Sequence, residues 1–579
     1  MRSLKNLIRE IHRRSIWQVL SIYLVSGWIV YQIVLDLVEG LGLPDWFPPF
    51  AVVLLLLGLP MVLATAVVQE RPGEPLDHTA EGAPDPVEDA GAGERLLTWR
   101  NTILGGMAAL ALWGVFAAGW VLFGGTTTAL VPPSGPAVAV LPFTTIGNDP
   151  ENEYFSEGIH EDIIAQLSRI DGLKVISRTS VMRYAGAEAL DLREIARTLD
   201  VSAILEGSVR RDSPRVRIVA QLIDGQSEGH LWAETYDRRL DDVFAIQSEV
   251  ARRIADALAV TLSPEDQRRV EERPTDHPGA YEEYLKGRHH WNRRTADGLE
   301  AAIRHFNRAL ELDSAYAQAY AGLADAYLLL PYYAGRPPGD SRDEIQDAAE
   351  RALALDPRLA EPHATLGLLY TDWDRNLAAG EEEYRRAIRL NPNYATAWQW
   401  LALNRWFQDR PEDALEASMQ AGELDPLAPI IPENRMYYYL ALGQPEQAYA
   451  LGQEILALDP GFRAAHDNIA LALLILGRPY EALEAVSDLD PLGTTTTAVI
   501  HGHILQALDD TAGIADVYAA LRARAGTQFV SPTALAALAE LLGRESDAVR
   551  HRERASRVQD PWRNYVTGIL ELIDTGDAD

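Results

Sequence analysis

Apolar positions along this chain fall into three successive regimes. In the first they are continuous. Ile16 to Val38 is interrupted only by Gln18, Gln32 and Asp36, apart from small and hydroxylated residues. Ala51–Val68 runs 18 residues and Ile103–Phe123 runs 21 residues without a charge. Each is long enough to cross a hydrocarbon core of about 30 Å as a helix. In the second regime short apolar runs alternate with helical patterns. In the third a helical pattern recurs on a fixed beat.

The beat is marked by Leu312-Asp313-Ser314, Leu355-Asp356-Pro357, Leu390-Asn391-Pro392, Leu424-Asp425-Pro426, Leu458-Asp459-Pro460 and Leu489-Asp490-Pro491, in steps of 43, 35, 34, 34 and 31 residues. A period near 34 is one helix–turn–helix unit, which buries its apolar face only by stacking on its neighbours. Read in this register, Tyr320, Leu323, Ala324 and Tyr327 take first-helix packing positions, as do His363, Leu366, Gly367 and Tyr370, and Trp398, Leu401 and Ala402. Ala302, Phe306, Ala309, Ala414 and Ala421 take second-helix places. Small residues let two helices cross closely, and aromatics fill the wedge beside them. These positions identify tetratricopeptide (TPR) repeats. The 43-residue step places nine extra residues in a loop at Leu330–Gly339. After Pro491 the beat fades into further helices, and Trp562 to Ile573 is expected to cap the last repeat.

The middle regime reads as strand Ala137–Leu141, a helix over Glu157–Ile170, strand Lys174–Ile176, a helix over Leu192–Leu199, strands Ala203–Val209, Val216–Ile223 and His230–Tyr236, and a helix over Val243–Leu262. That order predicts a mixed sheet covered by helices. The blocks "VAVLPF", "YFSEGIHEDI", "VISRTSV", "ILEGSVR", "VRIVAQLID", "HLWAETYDR" and "DVFAIQSEVARRIADAL" occur in sequence. They resemble the domain related to the TolB amino-terminal domain, found in bacterial membrane proteins between a transmembrane helix and tetratricopeptide repeats. The resemblance implies a cytoplasmic end that often carries a winged-helix domain, a class III adenylate cyclase or a kinase. Here the N-terminus departs from that pattern, with three spans and a short linker.

The expected fold is therefore multi-domain: three transmembrane helices, a mixed α/β domain (TolB N-terminal-like) and an all-α TPR solenoid. The boundaries are 1–15 for a basic amphipathic segment, 16–38, 51–68 and 103–123 for the spans, 69–102 for a cytoplasmic linker, 124–136 for an extended linker, 137–263 for the α/β domain and 278–575 for the solenoid with its cap. Residues 1–15 carry Arg2, Lys5, Arg9, Arg13 and Arg14, the 69–102 segment carries Arg71, Arg95 and Arg100, and the turn 39–50 and the stretch 124–137 carry neither Lys nor Arg. Positive loops stay inside, so the N-terminus is expected in the cytoplasm and everything after Gly124 beyond the bacterial inner membrane, on its periplasmic side. Membrane lipids are thus partners. The small pairs Gly105/Ala109 and Gly114/Ala118 admit a homo-oligomer.

A net charge of −32 argues against nucleic acid as a partner of the folded bulk. With no cysteine there is neither thiolate catalysis nor a cysteine-held metal. No phosphate-binding G-x-x-x-x-G-K-[ST] or nucleophile G-x-S-x-G occurs, and His160-Glu161 lacks a second histidine four residues on, where Ile164 stands. His289 and His290 are expected on the surface, Glu157, Glu161 and Asp162 as charges opening a helix, and Trp232 and Tyr236 in the core or an interface. Catalytic, metal and cofactor residues are therefore expected to be absent, and the chain is expected not to be an enzyme. The inner face of the repeats is the expected site, binding a protein or peptide through Asp325, Gln399, Trp406, Glu433, Tyr437 and Asp467, of which Trp406 and Tyr437 are also placed to pack between repeats. Function is expected to be that of a membrane-anchored scaffold or adaptor, or of a receptor-type sensor relaying a ligand signal to a separate cytoplasmic partner.

Overall fold

The computed structural model describes residues 135–147, 150–187, 191–212, 215–239, 242–334 and 337–576. These belong to one compact unit, Leu130–Asp579. Among them no helix is long and apolar enough to cross a membrane. The three apolar runs lie outside the described residues.

The sheet is mixed, as the pattern predicts. Its strands are β1 (Ala137–Val140), β2 (Thr144–Thr145), β3 (Lys174–Val175), β4 (Ala203–Asp212), β5 (Arg215–Asp224) and β6 (His230–Arg239). The order is β3-β1-β4-β5-β6, with β2 extending beside β4. β1 runs parallel to β3 and β4, whereas β4, β5 and β6 are antiparallel. Every residue of β1 is buried, the signature of a parallel strand covered on both faces. β6 forms an edge, and Arg238 and Arg239 at its end discourage further pairing.

Helix α1 (Pro150–Leu167) begins seven residues before the expected start. Glu157, Glu161 and Asp162 therefore lie mid-helix and do not cap it. Next come α2 (Arg178–Val181), α3 (Leu192–Leu199), α4 (Val243–Ala257) and α5 (Pro264–Glu271). The last starts with a capping box in which Ser263 and Asp266 satisfy each other's backbone N–H. The sequence pattern missed β2 and α2, too short for a period to show, and also α5.

Eight helical hairpins follow among the described residues: α6 (Pro278–Asn292) with α7 (Ala296–Leu312), α8 (Ala317–Ala334) with α9 (Arg342–Leu355), α10 (Ala360–Leu368) with α11 (Leu377–Leu390), α12 (Ala395–Phe407) with α13 (Pro411–Leu424), α14 (Ile430–Ala441) with α15 (Pro445–Leu458), α16 (Arg463–Ile475) with α17 (Pro479–Ala485), α18 (Thr495–Ala507) with α19 (Thr511–Arg524), and α20 (Pro532–Leu541) with α21 (Glu545–Arg557). The last helix among the described residues is α22 (Arg563–Gly576). The expected insertion loop is partly helix, because α8 continues through Pro331 to Ala334. Close crossings follow the sequence rule. Phe306 wedges between Gly287 and Gly322, where an added Cβ would meet its ring at 2.5 and 2.6 Å.

The punctuation residues end the second helices. Asp313, Asp356, Asn391, Asp425 and Asp459 share a φ near −140°. At Asp313, Asp356, Asn391, Asp459 and Asp490 the side-chain oxygen accepts the backbone N–H two residues on, at 3.0–3.2 Å, an Asx turn that aims the next helix. Asp425 instead accepts from Ser180 Oγ at 2.5 Å and is buried.

That exception belongs to a series. Four consecutive junctions hold the α/β domain or the segment leaving it. Thr275 Oγ1 donates to Asp313 at 2.5 Å, and Arg358 donates to both oxygens of Glu272 at 2.6 and 2.7 Å. The N–H of Val175 donates to Asn393 Oδ1 at 2.9 Å, and Ser180 meets Asp425. Asn393 also donates to the carbonyls of Ser168 and Leu173 at 3.1 and 2.9 Å. Buried, it satisfies three backbone groups of the sheet domain. Asn393→Ala is expected to cost about 2–3 kcal/mol, because buried backbone groups lose their partner. Asn391→Ala, losing a turn bond, should cost about 1 kcal/mol. Denaturant unfolding of both variants measures the difference, and hydrogen exchange should rise at Val175 in the first only.

Candidate functional site

The inner face of the repeats is built from the first helix of each hairpin, and it carries two occupants. At its start lies α1. Glu161 accepts from Arg288 Nε at 2.8 Å, from Arg288 Nη2 and from Asn292 at 3.1 Å. Burial works against its charge, but Arg288 and Arg178 hold its carboxyl below the usual range. Asp162 accepts from Tyr281 and, at 3.0 Å, from Gln247, and burial pushes it up to about 6. Glu157 meets His289 Nδ1 at 3.0 Å. The three carboxylates thus bind the first repeat. His289 is partly buried in this contact, and His290 stacks on His305 at 5.2 Å, so neither is the free surface residue expected. Trp291 is covered by Arg288 and Arg294, at 4.2 and 3.7 Å from its ring. A cavity of about 270 Å³ opens beside them, lined among others by Gln166, Arg169, Tyr284, Tyr316, Asp325 and Glu361.

Further along lies α22. It touches α12, α16, α18 and α20, all first helices. Trp562, just before it, packs edge-to-face on Tyr332 at 5.4 Å, and Asn564 donates to the Thr371 carbonyl at 3.0 Å. That carbonyl sits in a widened π turn, Leu369–Trp373, a departure from α geometry that recurs at functional sites. Tyr565 packs edge-to-face on Phe407 at 5.2 Å. Gly568 lies over Trp406, where a Cβ would be 2.7 Å from the indole. Val566, Ile569, Leu572 and Ile573 are buried, while Thr567, Glu571, Asp574 and Thr575 are exposed. A 14-residue helix is about 21 Å long. First helices about 9 Å apart would spread the five hairpins from α12 to α20 over about 36 Å in a straight row. The row must therefore curve around α22.

The six expected binding residues have definite places here. Asp325 accepts from Thr365, Glu433 from Asn468 at 2.7 Å, and Asp467 from Thr497 at 2.6 Å. Each bond joins adjacent first helices, and Asn404–Thr371 at 2.8 Å is another of the kind. Tyr437 stacks on Trp406 at 4.8 Å, and both are buried. Gln399 is half-buried on α12. Five of the six thus stitch repeats together or seat α22. Sequence reasoning missed the occupant, although Trp562, Tyr565, Val566, Ile569, Leu572 and Ile573 form a visible helical stripe. Trp232 is half-buried and Tyr236 buried, as expected. His160 is buried against the Val140 carbonyl at 2.9 Å, and burial lowers its pKa to about 4. Among the described residues no cluster of three His, Asp or Glu side chains is arranged to hold a metal ion.

The model of the HilA/YgeH-like transcriptional regulator, second domain, matches residues 134–255, the α/β domain. Putative adenylate cyclase 3 of Rhizobium meliloti (strain 1021) is 41% identical over 252 residues, which is 43% of this chain and 42% of that protein. The chain therefore spans less than half the length of this curated relative. Among solved structures, the thermophilic TPR protein TTC0263 of Thermus thermophilus is 21% identical over 34% of this chain and 99% of that one, with a TM-score of 0.29. The pilF protein of Pseudomonas aeruginosa is 19% identical over 42% and 98%, with a TM-score of 0.30. The described residues form a helical solenoid of TPR-like hairpins carrying a small mixed-sheet domain.

The buried inner acids give the fold a pH dependence. Burial pushes Asp325 up to about 6, Asp372, which accepts from Tyr332 at 2.8 Å, to about 7, and Glu433 to about 8. A carboxyl raised above its unfolded value, near 4, favours the fold when protonated. Its contribution is complete below that value and is lost as pH rises through the folded pKa. Stability from these groups should thus decline between about pH 4 and 8, Glu433 setting the upper end. Glu433→Gln keeps the acceptor for Asn468 without the charge. It should unfold at a higher temperature than the parent at about pH 8.5 and at the same temperature near pH 5, as read by thermal melts.

Proposed function

We propose that this chain is a membrane-anchored interaction scaffold, its repeats and α/β domain held on the extracytoplasmic side of the bacterial inner membrane to bind a protein. The observation carrying the binding part is the row of first helices curved around an amphipathic helix: a surface shaped to take a helix by apolar anchors. The anchoring part draws on the three apolar runs and the distribution of Lys and Arg around them. Three spans make lipids partners, and the Gly105/Ala109 and Gly114/Ala118 pairs offer contacts for a homo-oligomer. The α/β domain is read here as TolB-related, on the seven ordered blocks. We assign the chain no reaction of its own.

A second reading, a receptor-type sensor signalling to a separate cytoplasmic partner, is favoured by the identity shared with a protein named as a putative adenylate cyclase. A segment common to both would be the part that senses or docks, with the output elsewhere.

Reporter fusions at residues 80 and 300 of the full chain test the placement. Activity of a cytoplasmic reporter at 80 and of an exported reporter at 300 is the expected result. A carboxyl-terminal tag reachable only from the cytosol would overturn it.

A further inference from the structure

Resting on the reading of the repeats as a binding scaffold, we propose that the groove walled by the first helices from α8 to α20 is a receptor for an amphipathic helix of a partner protein, and that α22 is its resident, displaceable occupant. The expected partner helix carries an aromatic, a second aromatic three residues on, a glycine or other minimal residue at six, and aliphatics at four, seven, ten and eleven. This is the spacing of Trp562, Tyr565, Gly568, Val566, Ile569, Leu572 and Ile573.

Three features make the occupant a bound helix more than a repeat. It does not pair with a second helix; it crosses first helices of distant repeats, meeting Tyr332 at one end and α20 at the other. Its hold is mainly apolar and aromatic, with Asn564 donating to a main-chain carbonyl that any helix with a donor at that place can use. Non-directional contacts at helical spacing are what helix-in-groove recognition uses. It is also hinged. Asp560 is buried, accepting from Ser531 Oγ at 2.6 Å and Thr533 Oγ1 at 3.0 Å, and Pro561 follows. The eighth hairpin is thereby pinned before α22 starts, so the helix can leave without unravelling α20 and α21.

The groove without α22 would expose Trp406, Phe407 and Tyr332 together, and a patch of this kind marks an interaction site. Exchange with a second copy would replace the helix by an identical one, with no gain in contacts. A foreign helix with better anchors gains by the exchange.

Gly568 supplies the test. In the full chain, Gly568→Ala drives a methyl into Trp406 and loosens α22 in cis. A fluorescein-labelled peptide of residues 559–576 is titrated against the detergent-solubilised full chain and followed by anisotropy. The variant chain should bind it at least ten-fold more tightly than the parent chain. The same peptide carrying Gly568→Ala should bind the variant chain at least ten-fold more weakly than the unmodified peptide. A folded variant that gains no affinity, or equal affinity for the two peptides, overturns the proposal. Should Gly568→Ala fail to fold, Ile569→Ala thins an anchor without a clash and must give the same gain; no gain there is equally decisive against it. Dimerisation of the variant by exchange of α22 would assign the groove to a second copy and overturn the partner assignment. A protein bound by the parent chain while α22 stays protected from hydrogen exchange would leave the scaffold reading standing and overturn this one.

Discussion

A stack of helical hairpins leaves the face built by its first helices uncovered along its whole length, and stability requires that apolar surface to be covered. In this chain two elements of the chain itself do so. The α/β domain enters from the amino-terminal end, through α1 against α6, through its edge strand β3 against the turn at Asn393, and through α2 against the turn at Asp425. α22 returns from the carboxyl-terminal end along α20, α18, α16 and α12. The curvature of the row follows from the second contact, because one short helix reaches so many repeats only if they bend round it. The position of the sheet domain follows from the first, because four successive junctions fix it.

Those junctions show how one residue type serves two purposes. An Asp or Asn after each second helix can turn back onto the chain or outward to a partner. Most turn back as Asx turns, which set the entry angle of the next hairpin. Asp425 turns outward to Ser180, whose hydroxyl also accepts the N–H of Leu427 at 2.8 Å, so the turn keeps a side-chain partner although its own carboxylate has left. Two junctions earlier Glu272 reaches Arg358, which remains bound to Asp356 at 3.1 Å. Docking is thus superimposed on the repeat geometry without breaking it.

What was legible in the sequence was local. The beat gave the hairpins and their turns, because small residues, wedge aromatics and Asp-Pro stops act over a few residues. The alternation gave the starts of the long strands to within one residue, while β4 and β6 run three residues past the expected ends. Misreadings arose wherever a partner distant in sequence decides. Glu157, Glu161 and Asp162 look like charges opening a helix until the helix starts at Pro150; their purpose appears only with Arg288, His289 and Tyr281, more than a hundred residues away. Asn393 is one polar residue in a turn unless Val175 lies beside it. The stripe from Trp562 to Ile573 predicts a helix but says nothing of which apolar surface it meets, so a cap on the last repeat and a seat across the first helices of several repeats fit the same spacing.

The same distinction changes the chemistry expected of the groove. Counted from composition, the inner acids make an acidic channel suited to a basic ligand. In place, Asp325, Glu433 and Asp467 are buried, each bonded to a neutral Thr or Asn of the next repeat, and burial raises the pKa of all three. A neutral donor satisfies a carboxyl without stabilising its charge as a close arginine would, and at 3.9 Å Arg288 only partly offsets the burial of Asp325, so desolvation prevails and the protonated form gains. Glu161, held by Arg288, moves the opposite way. Glu433, pushed up to about 8, is therefore largely neutral at pH 7, and along α22 the groove presents indole, phenol and phenyl faces. These acids are buried and bonded within the wall, so a ligand there gains chiefly by burying apolar surface, which is what α22 does with Val566, Ile569, Leu572 and Ile573.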